Sequence, residues 1–134
     1  MVTNNGAAAY DDDVSVTVAL DALRERVAEF GTSAYLVTVG EDGRPHVVSV
    51  NIEFDHGRLV AGAGRTTSAN VARQATASLL WPPRTDGPYC LIVDGAAEIQ
   101  ARDETAVVMI EPSRAVLHRL ADAAGDGPSC VTVL

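Results

Sequence analysis

The chain has 134 residues, 47% of them hydrophobic and 21% charged, which is enough for one globular core and too little for two ordinary domains. Ten cationic side chains against eighteen anionic ones leave a net charge of −8, which argues against binding nucleic acid or an anionic membrane surface. Every cation is arginine, so a lysine Schiff base and a lysine phosphate clamp are excluded, and no apolar run approaches the roughly 18 residues of a bilayer span.

Residues 1–13 are small and polar, end in Asp11-Asp12-Asp13, and are expected to form a mobile tail ahead of a single domain over 14–134. They carry no basic n-region, so no signal peptide is read there, and a cytoplasmic protein with Cys90 and Cys130 as free thiols is expected. Leu20, Leu23, Val27 and Phe30 recur at helical steps and predict an amphipathic helix over about 17–30, capped by Ser15 or Thr17 and stopped at Gly31.

From Ser33 the period changes to two. Ser33–Val39 reads as a strand, Gly40-Glu41-Asp42-Gly43 as a tight hairpin, and the following strand carries His46, Val48, Val50, Ile52 and Phe54 on its core face. Asp55-His56-Gly57 turns the chain into a third strand over 58–63, and a short helix follows to about Ala75, capped by Thr66, Thr67 or Ser68 and facing inward through Val71 and Ala75. Further strands are read over 77–81, over 89–101 with a bend or bulge at Asp94-Gly95, and over 105–110 before Pro112. Ala115 to Leu120 suits a helix stripe or an extended edge equally. The order predicts a mainly β domain, a small closed antiparallel barrel with peripheral helices.

The best candidate for chemistry is Gly62-Ala63-Gly64-Arg65-Thr66-Thr67-Ser68-Ala69-Asn70. A strand ending in glycines and running into a helix presents free amides, hydroxyls and one guanidinium at a single point, which suits a phosphate. The plain alternative is a capped helix with a solvated arginine. Arg44 and His46 stand at a strand entrance, where they face a substrate or merely decorate the surface. Trp81, the only tryptophan, borders a ligand ring or packs in the core or an interface. The histidines and cysteines lack metal-ligand spacing, so no metal site is predicted, and no serine or cysteine sits in a nucleophile motif.

The D-G-R-P-H-V-V hairpin at 42–48, the T-x-S-x-N-V stretch at 66–71 and Ala77-Ser78-Leu79-Leu80-Trp81 together resemble the pyridoxamine 5′-phosphate oxidase-like family, in particular its small actinobacterial flavin and deazaflavin oxidoreductases. The resemblance runs over about residues 18–111. It implies a six-stranded split barrel and a homodimer holding FMN, or alternatively the deazaflavin coenzyme F-420, between its subunits. It also implies that Arg65, Thr66, Thr67, Ser68 and Asn70 hold the cofactor phosphate and that Val48, Ser49 and Val50 line the ring; beside these, Trp81 is read at the cofactor edge, and Arg44 and His46 on the side of a small, conjugated substrate. Hydride chemistry then belongs to the cofactor, which agrees with the missing nucleophile. The sequence departs from the oxidases proper where they carry an Arg-Lys pair, here Thr66-Thr67, and an Arg and a Lys, here Val48 and Glu53. Vitamin B6 oxidation is therefore not expected. The alternative is a non-catalytic barrel that binds flavin, haem or another small ligand, or has lost its cofactor.

Overall fold

The computed structural model describes residues 15–119. Along these the elements are β1 (Ser15–Thr17), a 3-10 turn (Leu20–Ala22), α1 (Leu23–Phe30), β2 (Ser33–Val39), β3 (Pro45–Asn51), β4 (Glu53–Asp55), β5 (Arg58–Gly62), α2 (Arg65–Arg73), β6 (Thr76–Trp81), β7 (Tyr89–Arg102) and β8 (Thr105–Arg119). The expected tail at 1–13 and Cys130 lie outside the described residues.

All pairings are antiparallel, in the order β3-β2-β6-β7-β8-β5-β4, with β1 added to the far end of β8. The expected closed barrel is corrected here: the sheet does not close. Its two ends are parts of one bent segment. β3 pairs with β2, the chain turns at buried Ile52, and β4 pairs with β5. Alternation puts Ala34, Leu36, Ala77, Leu79, Trp81, Leu91 and Val93 inside, where they meet Leu59, Val108 and Ile110. Helix α1 covers one end of this core with Leu23 and Val27, and Trp81 Nε1 donates to the Gly31 carbonyl at 2.9 Å.

Several sequence expectations change in the structure. Residues 15–17 do not cap a helix; the β-branched run Ser15-Val16-Thr17 pairs with Val116–His118, and α1 starts only at Leu23 without a side-chain cap. Tertiary pairing has overridden a local signal. The strand expected to stop before Pro112 continues to Arg119. It does so through a bulge, because Asp94 pairs with Arg114 and Gly95 with Pro112, leaving Ser113 as the extra residue. The inward set accordingly changes from Val108 and Ile110 to Ala115 and Leu117. Proline is tolerated there because a bulge interrupts the ladder in which its missing N–H would matter. The turn at 55–58 takes the left-handed conformation at both His56 (φ 54) and Gly57 (φ 83), as a two-residue hairpin requires.

Candidate functional site

The hairpin β4–β5 builds the site. Its two strands pair from Asp55↔Arg58 to Glu53↔Val60 and then part, β3 leaning onto β2 while β5 pairs with β8. Beyond the parting, β3 and β5 still approach one another without being hydrogen-bonded neighbours. This is the split. Connectivity brings the C-terminal end of β3 toward the C-terminal end of β5, and the segment 62–65 follows directly on that end of β5.

The helix beginning there is corrected in one respect. It starts at Arg65, its N-cap is Gly64, and no side chain caps it. Thr66, Thr67 and Ser68 therefore lie inside the first turns instead of before them. The first intrahelical bond is Ser68 N–H to the Gly64 carbonyl, which leaves the amides of Arg65, Thr66 and Thr67 without helical acceptors. Arg65 and Thr66 are exposed and Ser68 half-buried. Arg65 joins none of the ion pairs among the described residues. The approach is also open, since a Cβ built on Gly62 or Gly64 would meet nothing within 4 Å. Free amides, two accessible hydroxyls, an unpaired guanidinium and unobstructed space form a donor set that fits a phosphoryl group.

The remaining candidates fall in different places. Thr67 and Asn70 are buried, turned toward the sheet. Asn70 Nδ2 donates to Thr38 Oγ1 at 3.1 Å, and its Oδ1 accepts from Arg73 Nη2 at 3.0 Å. Both ends of its amide are thus engaged within the chain. Ala75, expected to face inward, is exposed. Val48 and Val50 pack their side chains against the core, while Ser49 is exposed on the opposite face. His46 is half-buried beside Thr38, its cross-strand partner. Arg44 is solvent-exposed at the hairpin tip, 3.6 Å from Asp42. Trp81 is completely buried and its N–H is used on Gly31, so within this chain it has no surface to offer a ring.

Two features escaped the sequence reading. Thr38 stands in the inward row of β2 as a polar residue among Ala34 and Leu36; a lone threonine at a core-phase position was the available signal. On the outer face, Asp94 accepts from Ser78 Oγ at 2.5 Å and from Arg114 Nη1 at 2.9 Å beside a groove of about 430 Å3. That juxtaposition depends on the bulge at Ser113 and is invisible to simple alternation. Around it, register aligns exposed Tyr35 with Leu80 and Ile92, and exposed Val47 with Val37, as an apolar strip on the same outer face.

Fold comparison defines the class. A Clostridium acetobutylicum protein of the pyridoxinephosphate oxidase family, related to general stress protein 26 of Bacillus subtilis, superposes with a TM-score of 0.60 at 12% identity, covering 76% of this chain and 91% of that one. The haem storage protein HutZ of Vibrio cholerae gives 0.59 at 12% identity over 76% and 96%, and an F-420 reductase gives 0.56 at 18% identity over 68% and 94%. This chain shares the split-barrel fold of these structures. No protein-family model matches it. In sequence it is 38% identical over 109 residues to an uncharacterized protein of Mycobacterium bovis, covering 72% of this chain and 75% of the relative, with the same figures for a Mycobacterium tuberculosis protein. The chain belongs to the family of these mycobacterial proteins.

No helix among the described residues is long and apolar enough to cross a membrane. Among the same residues no three metal-ligating side chains gather.

Proposed function

We propose that this chain is a cytoplasmic, homodimeric oxidoreductase that holds FMN or the deazaflavin F-420 and acts on a small conjugated substrate. The cofactor phosphate is held by Arg65, Thr66, Ser68 and the first-turn amides of α2, and the ring lies along the edge of β3 at Val48, Ser49 and Val50. Arg44 and His46 are the substrate-side residues. When bound, such a ring supplies the hydride or electron transfer, while the chain's residues bind, orient and shield.

The observation that carries this reading is the open, uncapped start of α2, which follows directly on β5, the strand that approaches β3 across the split. An arginine that joins no ion pair among the described residues, in a chain of net charge −8, is disposed to recruit an anion from solution. The apolar strip of Tyr35, Val37, Val47, Leu80 and Ile92 supports dimerisation, since an exposed apolar face of this kind is a common association surface.

A second reading, non-catalytic storage of haem, flavin or another small ligand, is favoured by one finding: the haem storage protein superposes as well as the F-420 reductase does. Titration of the purified protein with FMN, F-420 and haemin, followed by absorbance, separates the two. Stoichiometric binding of a flavin that bleaches with reductant supports the oxidoreductase. A haem band without flavin binding supports storage, and no binding of any of the three refutes both. Light scattering at micromolar protein tests the dimer, for which a monomeric mass counts against an intersubunit pocket.

A further inference from the structure

Helix α2 docks on the sheet in an unusual way. Its buried residues are Thr67, Asn70 and Val71, two of them polar. Apolar burial is non-directional, so Val71 holds the helix down without fixing its rotation or its position along the axis. Directional bonds must do that. Asn70 donates to Thr38 Oγ1, Arg73 Nη2 donates to Asn70 Oδ1, and the same Nη2 donates to the Val39 carbonyl at 2.9 Å. Two adjacent residues of β2 are thereby tied to one face of α2. The arrangement also fixes the amide's orientation, because a flipped Asn70 would turn its NH2 group toward the Arg73 donor. Asn70 stands five residues after Arg65, about 7.5 Å along the helix, too far for its side chain to share the first-turn cradle yet rigidly joined to it.

We propose that Asn70 is a positioning residue: through Thr38 and Arg73 it sets the rotation and height of α2, so that Arg65 and the first-turn amides converge on the cofactor phosphate, which Asn70 itself does not touch. This inference rests on the functional reading above and replaces the direct phosphate role that the resemblance implies for Asn70. Networks of this kind are effective because each buried polar group depends on the others for a partner.

The test compares ligands with and without phosphate on the full chain. Affinities for FMN and riboflavin, and for F-420 and its phosphate-free chromophore, are measured for the wild type, Asn70→Ala and Thr38→Val. The readout is the preference for the phosphorylated form, which general loosening of the fold would leave unchanged. Asn70→Ala is expected to reduce that preference about tenfold and Thr38→Val about threefold, the scale of one misaligned hydrogen bond to an anion, with riboflavin or chromophore affinity retained. If Asn70→Ala does not fold, Thr38→Val carries the test, since it removes one acceptor and nearly preserves shape. An unchanged preference in Thr38→Val overturns the positioning role and leaves the site standing. A wild-type chain with no preference for phosphate overturns the site, and the inference with it.

Discussion

Replacing Arg65 with alanine separates cofactor affinity from fold stability. The side chain is exposed, occupies the first helical position and joins no ion pair among the described residues, so its removal costs the apo protein within about 0.5 kcal/mol. In the proposed complex it is the one formal charge that the first turn of α2 offers to a phosphate. A hydrogen bond to a charged group contributes roughly 1.5–3 kcal/mol, and solvent exposure places this one at the lower end, so about a tenfold loss of FMN or F-420 affinity is expected at low ionic strength. Arg65→Lys keeps the charge and recovers part of the loss. Isothermal titration at two salt concentrations checks both magnitude and origin, because the wild-type advantage shrinks as salt rises. Equal affinities of wild type and Arg65→Ala at low salt would refute the reasoning, since the remaining donors would then hold the anion alone.

Gly95→Ala drives a Cβ into the Glu111 carbonyl oxygen, far inside van der Waals contact. The obstacle is backbone, which cannot swing aside, so the change is expected to cost about 3 kcal/mol and lower Tm by about 10 °C; calorimetry decides, and a shift below about 2 °C would mean that the bulge relaxes freely. Trp81→Phe removes the bond to Gly31 and leaves a buried void, for an expected loss of roughly 2 kcal/mol, about 7 °C in Tm, checked by thermal unfolding. At the β4–β5 turn, the hydrogen bond from His56, followed by the charges of His56 and Arg102, holds the Asp55 carboxyl below its ordinary value against opposing desolvation. A depressed folded value stabilises above the unfolded carboxylate range and is lost as pH falls through the folded value. Asp55→Asn is therefore expected to lower Tm at about pH 7 and to approach the wild type as pH falls through the folded value of Asp55, below the ordinary carboxylate range, whereas a deficit independent of pH would contradict the assignment.

The strands were legible where alternation alone decides them. Leu36, Leu79, Leu91 and Val93 share the core phase with no competing signal, and each is fully buried. The bulge site was legible in part, because Asp94-Gly95 looked like a bend, but which strand carried the extra residue was not. That depends on Ser113 in the partner strand, and a single sequence does not register one strand against another. The N-terminal segment misled for a related reason. Ser15-Val16-Thr17 is a poor helix start only when Val116–His118 is there to pair with it, and the pairing spans about a hundred residues of sequence.

The site was legible as a composition and illegible as a geometry. Gly62 to Asn70 supplied the candidate residue types, yet helical phase divides them into two sets: Arg65, Thr66 and Ser68 retain surface, while Thr67 and Asn70 turn beneath the helix. No motif distinguishes a hydroxyl that meets an anion from one that meets the sheet; only the rotation of α2 does, and that rotation is set by Thr38, on a strand begun about thirty residues earlier. The absence of lysine gives this geometry its weight. Where the oxidases proper have cations in this segment, this chain has threonines, so in the proposed site the attraction comes from directed amides and one exposed guanidinium. Directed donors lose strength when misaligned, whereas a flexible ammonium follows its target. A site built this way therefore depends on the docking of its helix more than a lysine-bearing one would, and selection for phosphate binding would act on the buried amide as strongly as on the exposed arginine.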